Sequence, residues 1–557
     1  MKESVKITIE NIDRICEVPL GSTLLEIAEV LGIECQYPPL AAYVNNRIRE
    51  LKYHIYSPST IRYVDHTSFA GVRTYSRTAF LILQKVIEEI YPQQKFHIRH
   101  SMGMNGFYCE IEGKDYFSPD EIEAIKGRMN HIVESDIDII RSKIPTSQLR
   151  SLYQELGYGE KIQLLDTRPR LYSEIYMLEN TLGYYYGSLA PSTRYVSLFD
   201  ISSYYKGFYL ALPRRDDPSQ LTDSPNQEKM FKIFQEYQRW VDVMGVPDVG
   251  ALNAKILRQE TSELIKIAEA FHEKELATLA DILSFAVESH GCRIAMISGP
   301  SSSGKTTTSQ KLAIQLRILG YKPVMISLDD YFIDRELTPK DENGEYDFEC
   351  LEAIDIDMFN DHLQQLIDGE SVHIPKYDFI TGRHTFHETP LKLEENSILI
   401  VEGIHGLNPN LTPRIDESLK FKIYVSCFTT VAMDDTSRIS SSDNRLLRRL
   451  TRDFRTRGTD AVSTLKRWAS VRSGEEKHIF PYQENADVMF NTSLFYELHV
   501  LKRYAASILR CVPDITVEFE DARRLLKFLD HFISITDEEV PLTSILREFI
   551  GGGSFKN

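Results

Sequence analysis

The sequence predicts a multidomain protein with both α/β and α+β architecture, and three observations lead to this fold class. The chain has 557 residues, more than one hydrophobic core usually serves. Its N-terminal part changes repeatedly between period-2 and period-3.6 patterns, which is typical of small α+β modules. Beyond Cys292, apolar runs alternate with helical patterns, as a parallel sheet flanked by helices requires. We therefore expect two to four domains.

Composition excludes several classes of protein. The formal charge of −17 argues against a general nucleic-acid or membrane-surface coat, although a local basic patch is compatible with it. The sequence has no apolar run of about 18 residues, and its first residues alternate like a strand, so we expect a cytoplasmic protein without a membrane segment. The seven cysteines are scattered and never in CxxC spacing, which indicates reduced thiols.

The first module is predicted over residues 1–62. Two alternating strands joined by a turn are followed by a helix from Ser22 to about Leu31 and a strand at Ala42–Val44. The segments PLGSTLLEIAEVLG and AAYVNNRIREL resemble the TGS domain of threonyl-tRNA synthetases. This resemblance implies a ubiquitin-like β-grasp domain.

Residues 63–212 resemble the second, editing-type domain of the same synthetases. The resemblance rests on YSRTAFLILQKVIEEIYPQQKFHIRHSMGMNGFYCEI and LGYYYGSLAPST. Where the family has an HxxxH pair and a Cys and a His, this chain has Tyr75, Ala79, Tyr185 and Leu189. Because these side chains make a poor ligand set for zinc, we expect an α+β scaffold without hydrolytic activity.

Two histidines of that module, His97 and His100, have His-x-x-His spacing. A structural metal site needs four ligands, and this segment offers few others, so surface or hydrogen-bonded histidines are the favoured interpretation.

Residues 213–290 are predicted to connect the two halves. The stretch 213–228 is polar and holds three prolines, which indicates a loop, whereas 229–290 has the periodicity of a helix or helical hairpin. Residues 516–557 are predicted as a helical extension and tail, and the sequence leaves open whether they pack on the preceding domain.

A phosphate-binding loop is predicted in IAMISGPSSSGKTTT, residues 294–308. Glycines allow a tight turn, backbone N–H groups and a helix N-terminus bind phosphate, Lys305 reaches the β- and γ-phosphates, and Thr306 offers its hydroxyl to Mg²⁺. The sequence therefore predicts a site for ATP or GTP with Mg²⁺. Its expected nucleotide-binding residues are Gly299, Ser301, Ser302, Ser303, Gly304, Lys305, Thr306 and Thr307.

Carboxylates follow two further predicted strands. Asp329, Asp330 and Tyr331 end the strand KPVMISLDDYF, and Glu402 ends NSILIVEG. Because ligands bind at the carboxyl ends of parallel strands, these acids are expected beside the γ-phosphate. There a carboxylate can accept a proton from a hydroxyl or hold Mg²⁺. For Asp329 and especially Asp330, a helix-cap or turn role is the competing interpretation.

Six arginines occur in DNRLLRRLTRDFRTRGTD, residues 443–460. Such a run can be a solvated face, an RNA-binding stripe, or a kinase lid whose arginines stabilise the charge of phosphoryl transfer.

The elements SGPSSSGKTTT, SLDDYF, PKYDFITGR, VEGIHG, RLLRRLTRDFRTRG and FPYQENADVMFN together resemble the uridine kinase and phosphoribulokinase family. The resemblance covers about residues 291–512 within a predicted domain of 291–515, and implies a five-stranded parallel sheet flanked by helices. By position it implies that Asp329 is the catalytic base, that Lys305, Arg452 and Arg457 assist transfer, and that Thr306, Asp329 and Glu402 serve Mg²⁺. On the acceptor side it implies Tyr377, Arg449 and Glu349. Beside them we expect Asp330, Tyr331 and Phe379 to contact the acceptor.

Three positions depart from the uridine kinase pattern. Gly382 replaces a base-contacting histidine, Thr459 a second arginine on the substrate side, and Arg467 a glutamine. Because a lost hydrogen bond to a base edge removes a means of rejecting wrong substrates, a preference for uridine does not carry over. Tyr377 and Phe379 can still sandwich a base, and core packing is the competing interpretation.

The leading hypothesis is a kinase that phosphorylates the 5′-hydroxyl of a nucleoside similar to uridine or cytidine, in nucleotide salvage. One alternative is a phosphoribulokinase-type sugar-phosphate kinase. Another is an RNA-binding regulator with a nucleotide switch, against which the acidic charge and Asp329 argue. A regulatory role for the N-terminal half and a homo-oligomer remain open.

Overall fold

A computed structural model describes residues 3–33, 35–168, 170–223, 226–340, 344, 346–379 and 381–555. Residues 1 and 2 of the first predicted module, 224 and 225 of the predicted linker, and 556 and 557 of the predicted tail lie outside these ranges. None of the described helices, including one of 30 residues, has the length and apolar character needed to cross a bilayer. All seven cysteines are described, and none of them is in a disulfide.

The N-terminal module is a five-stranded mixed sheet with one helix. Its strand order is β2-β1-β5-β3-β4, with β1 parallel to β5 and the other neighbours antiparallel. A capping box between Thr23 and Glu26 starts the helix. The elements are β1 (Ser4–Ile9), β2 (Arg14–Pro19), α1 (Leu24–Leu31), β3 (Ala41–Val44), β4 (Arg47–Arg49) and β5 (Ser59–Val64). Strand β5 thus extends two residues beyond the predicted boundary at 62.

The second module packs helices on two antiparallel sheets, ordered β11-β12-β7-β6 and β10-β9-β8. The long helix α2 lies at the centre of its hydrophobic core. The elements are α2 (Phe69–Ile90), β6 (Phe96–Met102), β7 (Gly106–Ile111), α3 (Pro119–Glu134), β8 (Ile140–Pro145), α4 (Thr146–Leu156), α5 (Gly159–Asp166), β9 (Tyr172–Leu178), β10 (Thr181–Gly183), β11 (Asp200–Tyr204) and β12 (Gly207–Ala211).

The connector contains three helices, where the sequence predicted one helix or a hairpin. These are α6 (Glu228–Val243), α7 (Val249–Leu257) and α8 (Thr261–His290). Gly245 and Gln259 have positive φ, and these two breaks separate the helices. Asp248 caps α7 by accepting a hydrogen bond from the Ala251 N–H at 2.8 Å.

The C-terminal half contains the predicted five-stranded parallel sheet, in the order β14-β19-β13-β20-β23. Its central strand β13 is fully buried, as a parallel sheet covered by helices requires. The elements are β13 (Ile294–Ser298), α9 (Lys305–Ile318), β14 (Lys322–Ser327), α10 (Ile356–Ile367), β15 (Ser371–Val372), β16 (Pro375–Asp378), β17 (Arg383–Phe386), β18 (Leu391–Lys392), β19 (Ser397–Glu402), β20 (Lys420–Ser426), β21 (Ala432–Asp434), β22 (Ser437–Arg438), α11 (Ser441–Thr456), α12 (Ala461–His478) and β23 (Val488–Asn491).

The C-terminal extension packs on this domain and is not a separate unit. After α13 (Glu497–Arg510) follow α14 (Phe519–Leu529) and the short α15 (Arg547–Ile550). Leu525 and Phe549 share one hydrophobic core with Leu447 of α11 and Leu252 of the connector. The structure therefore answers the question that the sequence left open: the tail packs against helix α11.

The two halves of the chain also contact each other directly. The Ile98 N–H donates to the Asp435 carbonyl at 3.1 Å, and Lys161 donates to the Thr436 hydroxyl at 3.3 Å. Strand β6 and helix α5 thereby meet the loop that leads into α11.

Candidate active site

Strand register brings the predicted motifs to one edge of the sheet. Glu402, the last residue of β19, pairs with Ile297 of β13 on one side and Ser327 of β14 on the other. The phosphate loop begins directly after β13, and Asp329 lies two residues after Ser327. The loop, Asp329 and Glu402 therefore meet at the carboxyl edge, where ligands of such sheets bind.

The phosphate loop has the features of an anion site. Ser302 and Gly304 have φ values of 58° and 88°, which orient the loop around the N-terminus of α9. The hydroxyls of Ser302 and Ser303 are buried and have no hydrogen-bond partner among the described residues. Lys305 Nζ donates to the Gly299 carbonyl at 2.9 Å. Unsatisfied buried hydroxyls beside a lysine fit a bound phosphate.

Thr306 and Glu402 form the predicted metal pair. Thr306 Oγ1 donates to Glu402 Oε1 at 3.0 Å. Burial raises the pKa of Glu402 to about 7, Asp329 acts in the same direction, and Lys305 opposes the rise. A hydroxyl and a carboxylate are hard oxygen ligands, so these residues fit Mg²⁺.

The two aspartates differ in surroundings. Asp329 is exposed, and its carboxylate accepts no hydrogen bond from any described residue. Asp330 is partly buried, which raises its pKa, and it accepts the Tyr377 N–H at 3.4 Å. Asp330 therefore joins this turn to the β16–β17 hairpin. The Tyr331 side chain lies in the core, where its hydroxyl is 3.1 Å from His362 Nδ1, and it packs in the same hydrophobic cluster as Tyr377.

The six arginines of residues 443–460 divide into three groups, one of which is Arg455 alone, which donates to the Glu548 carbonyl at 3.2 Å. Arg445 and Arg448 are buried in ion pairs with Glu475 and Glu497 and hold the helix in place. Those that face the site are Arg449, Arg452 and Arg457.

A buried aspartate collects the three arginines that face the site. Asp453 lies 3.3 Å from Arg449 Nε, 2.8 Å from Arg452 Nη2 and 3.7 Å from Arg457 Nε. Arg449 Nη1 also donates to the Ser301 hydroxyl at 2.8 Å, which connects the lid to the phosphate loop. Burial and Arg452 lower the pKa of Arg457, whereas Asp453 and Asp329 oppose this fall. Arg457 therefore lies within the electrostatic reach of Asp329.

Glu349 lies among the same groups. Burial raises its pKa to about 7, and Glu475 and Asp329 add to the rise, while Arg449 and Lys305 oppose it. A carboxyl with a strongly shifted pKa among several charged groups is typical of a functional site.

The β16–β17 hairpin forms an aromatic wall. Tyr377 is buried, whereas Phe379 is 57 % exposed, and their rings meet edge to face at 5.1 Å. Gly382, in the turn, has φ of 73°, and a Cβ there would lie 2.8–3.0 Å from the Arg335 side chain. The Arg335 guanidinium donates to the Phe379 carbonyl. Arg335 thus fills the space beside Gly382, where the family pattern has a histidine.

The sequence did not predict four residues that contact the site: Arg335, Asp453, Glu475 and Glu548. Glu475 is fully buried, accepts the Ser301 N–H at 3.1 Å and pairs with Arg445 and Arg472. Glu548, from the C-terminal α15, accepts the Thr307 hydroxyl at 2.7 Å. The acid within RLTRDFRTRG was a visible signal for Asp453. No local pattern identifies the other three, because their partners are remote in sequence.

The four editing-type positions lie within the core of the second module. Ala79 and Leu189 are buried, and the Tyr75 hydroxyl donates to the Leu198 carbonyl at 2.7 Å. Tyr185 packs in the same cluster. Of the two histidines, His97 lies 3.5 Å from Asp435, and His100 stacks on Phe234. In the described ranges, no group of three or more His, Cys, Asp or Glu side chains could hold a metal ion.

The parallel sheet, the phosphate loop and the acids at its carboxyl edge define a P-loop phosphotransferase. Residues 294–494 match the profile of the Phosphoribulokinase / Uridine kinase family. A uridine kinase of Staphylococcus epidermidis is 30% identical over 194 residues, which are 35% of this chain and 84% of that protein. A uridine kinase of Staphylococcus aureus is 29% identical over the same length and the same shares of both chains. Through its C-terminal region, the chain belongs to the Phosphoribulokinase / Uridine kinase family.

Among solved structures, a possible uridine kinase from Bacillus stearothermophilus is 22% identical, with a TM-score of 0.27, and the match covers 39% of this chain and 98% of that one. These comparisons do not give the acceptor, and they leave the N-terminal modules unassigned.

Proposed function

We propose that this protein transfers the γ-phosphoryl group of ATP or GTP to the 5′-hydroxyl of a nucleoside. The observation that most supports this proposal is the hydrogen bond from the Tyr377 N–H to the Asp330 carboxylate. This bond holds the aromatic wall next to Asp329, whose carboxylate is exposed. A planar base against that wall would bring a sugar hydroxyl towards a carboxylate that is free to accept its proton.

In the proposed mechanism, Asp329 orients the hydroxyl and takes its proton. Lys305, Arg452 and Arg457 would attract the negative charge that spreads over the transferred group. Thr306 and Glu402, with Asp329 nearby, are the residues that would hold Mg²⁺. When bound there, Mg²⁺ would neutralise part of the negative charge of the phosphate groups. Glu349 and Arg449 would contact the ribose side of the acceptor.

A panel of acceptors tests the proposal: several nucleosides, ribulose 5-phosphate and pantothenate, each with ATP and with GTP. The proposal expects turnover of at least one nucleoside. Turnover of the sugar phosphate together with none of any nucleoside would refute it.

A second candidate acceptor is a sugar phosphate, and Arg335 favours it. Its guanidinium lies beside the aromatic wall and could bind a phosphate, as well as the carbonyl oxygens of a base. Arg335→Ala separates the candidates, because losing a phosphate partner raises the KM of a sugar phosphate far more than that of an uncharged nucleoside.

For the N-terminal half, we infer a scaffold of the TGS and editing type without hydrolytic activity, which the apolar burial of Ala79 and Leu189 supports. RNA binding by this half is the alternative. A steep salt dependence of RNA affinity would favour it, and no binding at about 0.1 M salt would remove it.

A further inference from the structure

A cavity of about 530 Å³ lies between the second module and the kinase domain. On one side it is lined by helix α2, and on the other by the first turn of the lid helix α11. Its size is within the range of small-molecule sites, roughly 300–1,000 Å³. Lys305, Asp329 and Glu402 do not line it, whereas Pro300 of the phosphate loop does. The cavity therefore adjoins the phosphate loop without containing the proposed catalytic residues.

The wall of this interdomain cavity is strongly cationic. Seven arginines line it, against only two carboxylates, Asp443 and Glu476. Both acids are already engaged: Arg524 binds Asp443 through two hydrogen bonds of 2.6 and 2.8 Å, and Arg215 and Arg472 bind Glu476 at 3.0 and 3.2 Å. Glu475 and Asp521, outside the lining, also pair with Arg445 and Arg73. The positive charge of the wall that is left without an ion pair is that of Arg77 and Arg438, and it favours an anionic ligand.

Two of the arginines, Arg77 and Arg438, have no carboxylate partner in the part of the chain that the structure describes. Their guanidinium carbons lie over aromatic rings instead, 5.6 Å from the ring of Tyr186 and 5.2 Å from that of Phe107. Burial lowers the pKa of both, that of Arg77 to about 10. An arginine side chain keeps its charge in proteins. Both side chains are half-buried, and Asp443, which attracts Arg438, is already bound by Arg524. An anion in the cavity would supply the ion-pair partner that both arginines lack.

Neutral groups in the same wall are also unsatisfied. Tyr185 and Ser437 are 5 % and 9 % exposed, and among the described residues neither hydroxyl has a hydrogen-bond partner. Both residues line the cavity, together with Ser441 and Ser442 of the first turn of α11. Buried polar groups are normally paired, so unpaired ones directed at a cavity indicate a polar ligand. The positive end of the helix dipole favours the same charge.

We propose that the interdomain cavity binds a small phosphorylated ligand with a planar ring, a nucleotide in chemical class. Arg77, Arg438 and the first turn of α11 bind the phosphate, and the hydroxyls of Tyr185 and Ser437 bind polar groups of the ligand. The rings of Tyr186 and Phe107 pack against the planar group. This site performs no transfer. Because Arg438 lies three residues before α11, ligand binding there also joins the second module to the start of the lid helix.

The test uses the full-length chain with the kinase site disabled by Lys305→Ala and Arg449→Ala. Binding of UMP, UTP, ATP and inorganic pyrophosphate is measured by titration calorimetry at about 0.1 M salt. We expect one remaining site for at least one probe. Adding Arg77→Met or Arg438→Met should weaken it about tenfold or more, because each removes a hydrogen-bonding cation. The matched control is Arg194→Met, an exposed arginine of the same module outside the cavity.

Folding of each variant is checked by its thermal transition. If the arginine variants do not fold, Tyr185→Phe removes only one hydroxyl and should still weaken binding measurably. The proposal is overturned if the disabled chain binds none of the four probes. It is also overturned if affinity is unchanged in the cavity variants that fold.

Discussion

Replacement of Asp329 by asparagine tests the proposed chemistry most directly. The side chain keeps its shape but loses the ability to take a proton. General-base catalysis contributes about 10²- to 10⁴-fold, which corresponds to roughly 2.7–5.5 kcal/mol of the activation barrier. We therefore expect kcat to fall by that factor.

The structure also bounds the effect on stability. Asp329 is exposed and accepts no hydrogen bond from the described residues, so the substitution should change the free energy of unfolding by no more than about 0.5 kcal/mol. Affinity for ADP should stay close to that of the unmodified protein, because Lys305 and the loop N–H groups are untouched. A loss of activity with normal unfolding and normal ADP binding would assign the defect to the chemical step.

Asp330→Ala is the matched control. It removes the acceptor of the Tyr377 N–H, worth about 1 kcal/mol, so it should raise the KM of the acceptor about fivefold with a much smaller change in kcat. The measurements are steady-state ADP release with the preferred acceptor and calorimetric titration with ADP. If Asp329→Asn keeps kcat within tenfold of the unmodified enzyme, Asp329 is not the base and the proposed mechanism fails.

Three further predictions concern the residues around this carboxylate. Arg335→Ala should change the ratio of kcat/KM between two nucleosides by about tenfold or more, because it removes hydrogen-bond donors beside the aromatic wall. The ratio is measured with both nucleosides in competition. An unchanged ratio would exclude Arg335 from base recognition. The pKa of Glu349 is about 7, so its carboxyl ionises as pH rises through 7 and then accepts hydrogen bonds better. The kcat/KM for the acceptor should therefore rise over that pH range, and the rise should disappear in Glu349→Gln. An identical pH profile in the variant would contradict a role of Glu349 in acceptor binding. Glu475→Gln leaves the buried Arg445 without its counter-charge, so the free energy of unfolding in urea should fall by about 3–5 kcal/mol. A fall of less than about 1 kcal/mol would show that the kinase domain does not need this ion pair.

The alternation of apolar runs and helical patterns was sufficient to predict the parallel sheet, because a strand that is buried on both faces has a continuous apolar sequence. The phosphate loop and the acids at the ends of β14 and β19 were predictable for the same reason. Each lies within a few residues of the strand that positions it, so local sequence carries the information.

The arginine run shows where this reasoning stops. Its spacing indicates a helix, but only packing separates Arg445, buried against Glu475, from Arg449, which donates to the Ser301 hydroxyl of the phosphate loop. The breaks within the connector were missed because residues 229–290 are periodic on both sides of Gly245 and Gln259, and a continuous apolar face does not show where the backbone turns.

By itself, the sequence determined the class of chemistry: a loop for phosphate, a lysine, and acids at strand ends. Only the tertiary structure decided what surrounds them. Glu548 reaches Thr307 from 241 residues away, and the interdomain cavity combines arginines of α2 with the start of α11. A phosphate-binding loop can be recognised from sequence, because its tight turn is formed by consecutive residues. Ion-pair partners and cavity walls are formed by residues that are distant in sequence and become neighbours only in the folded chain. No local sequence pattern predicts them.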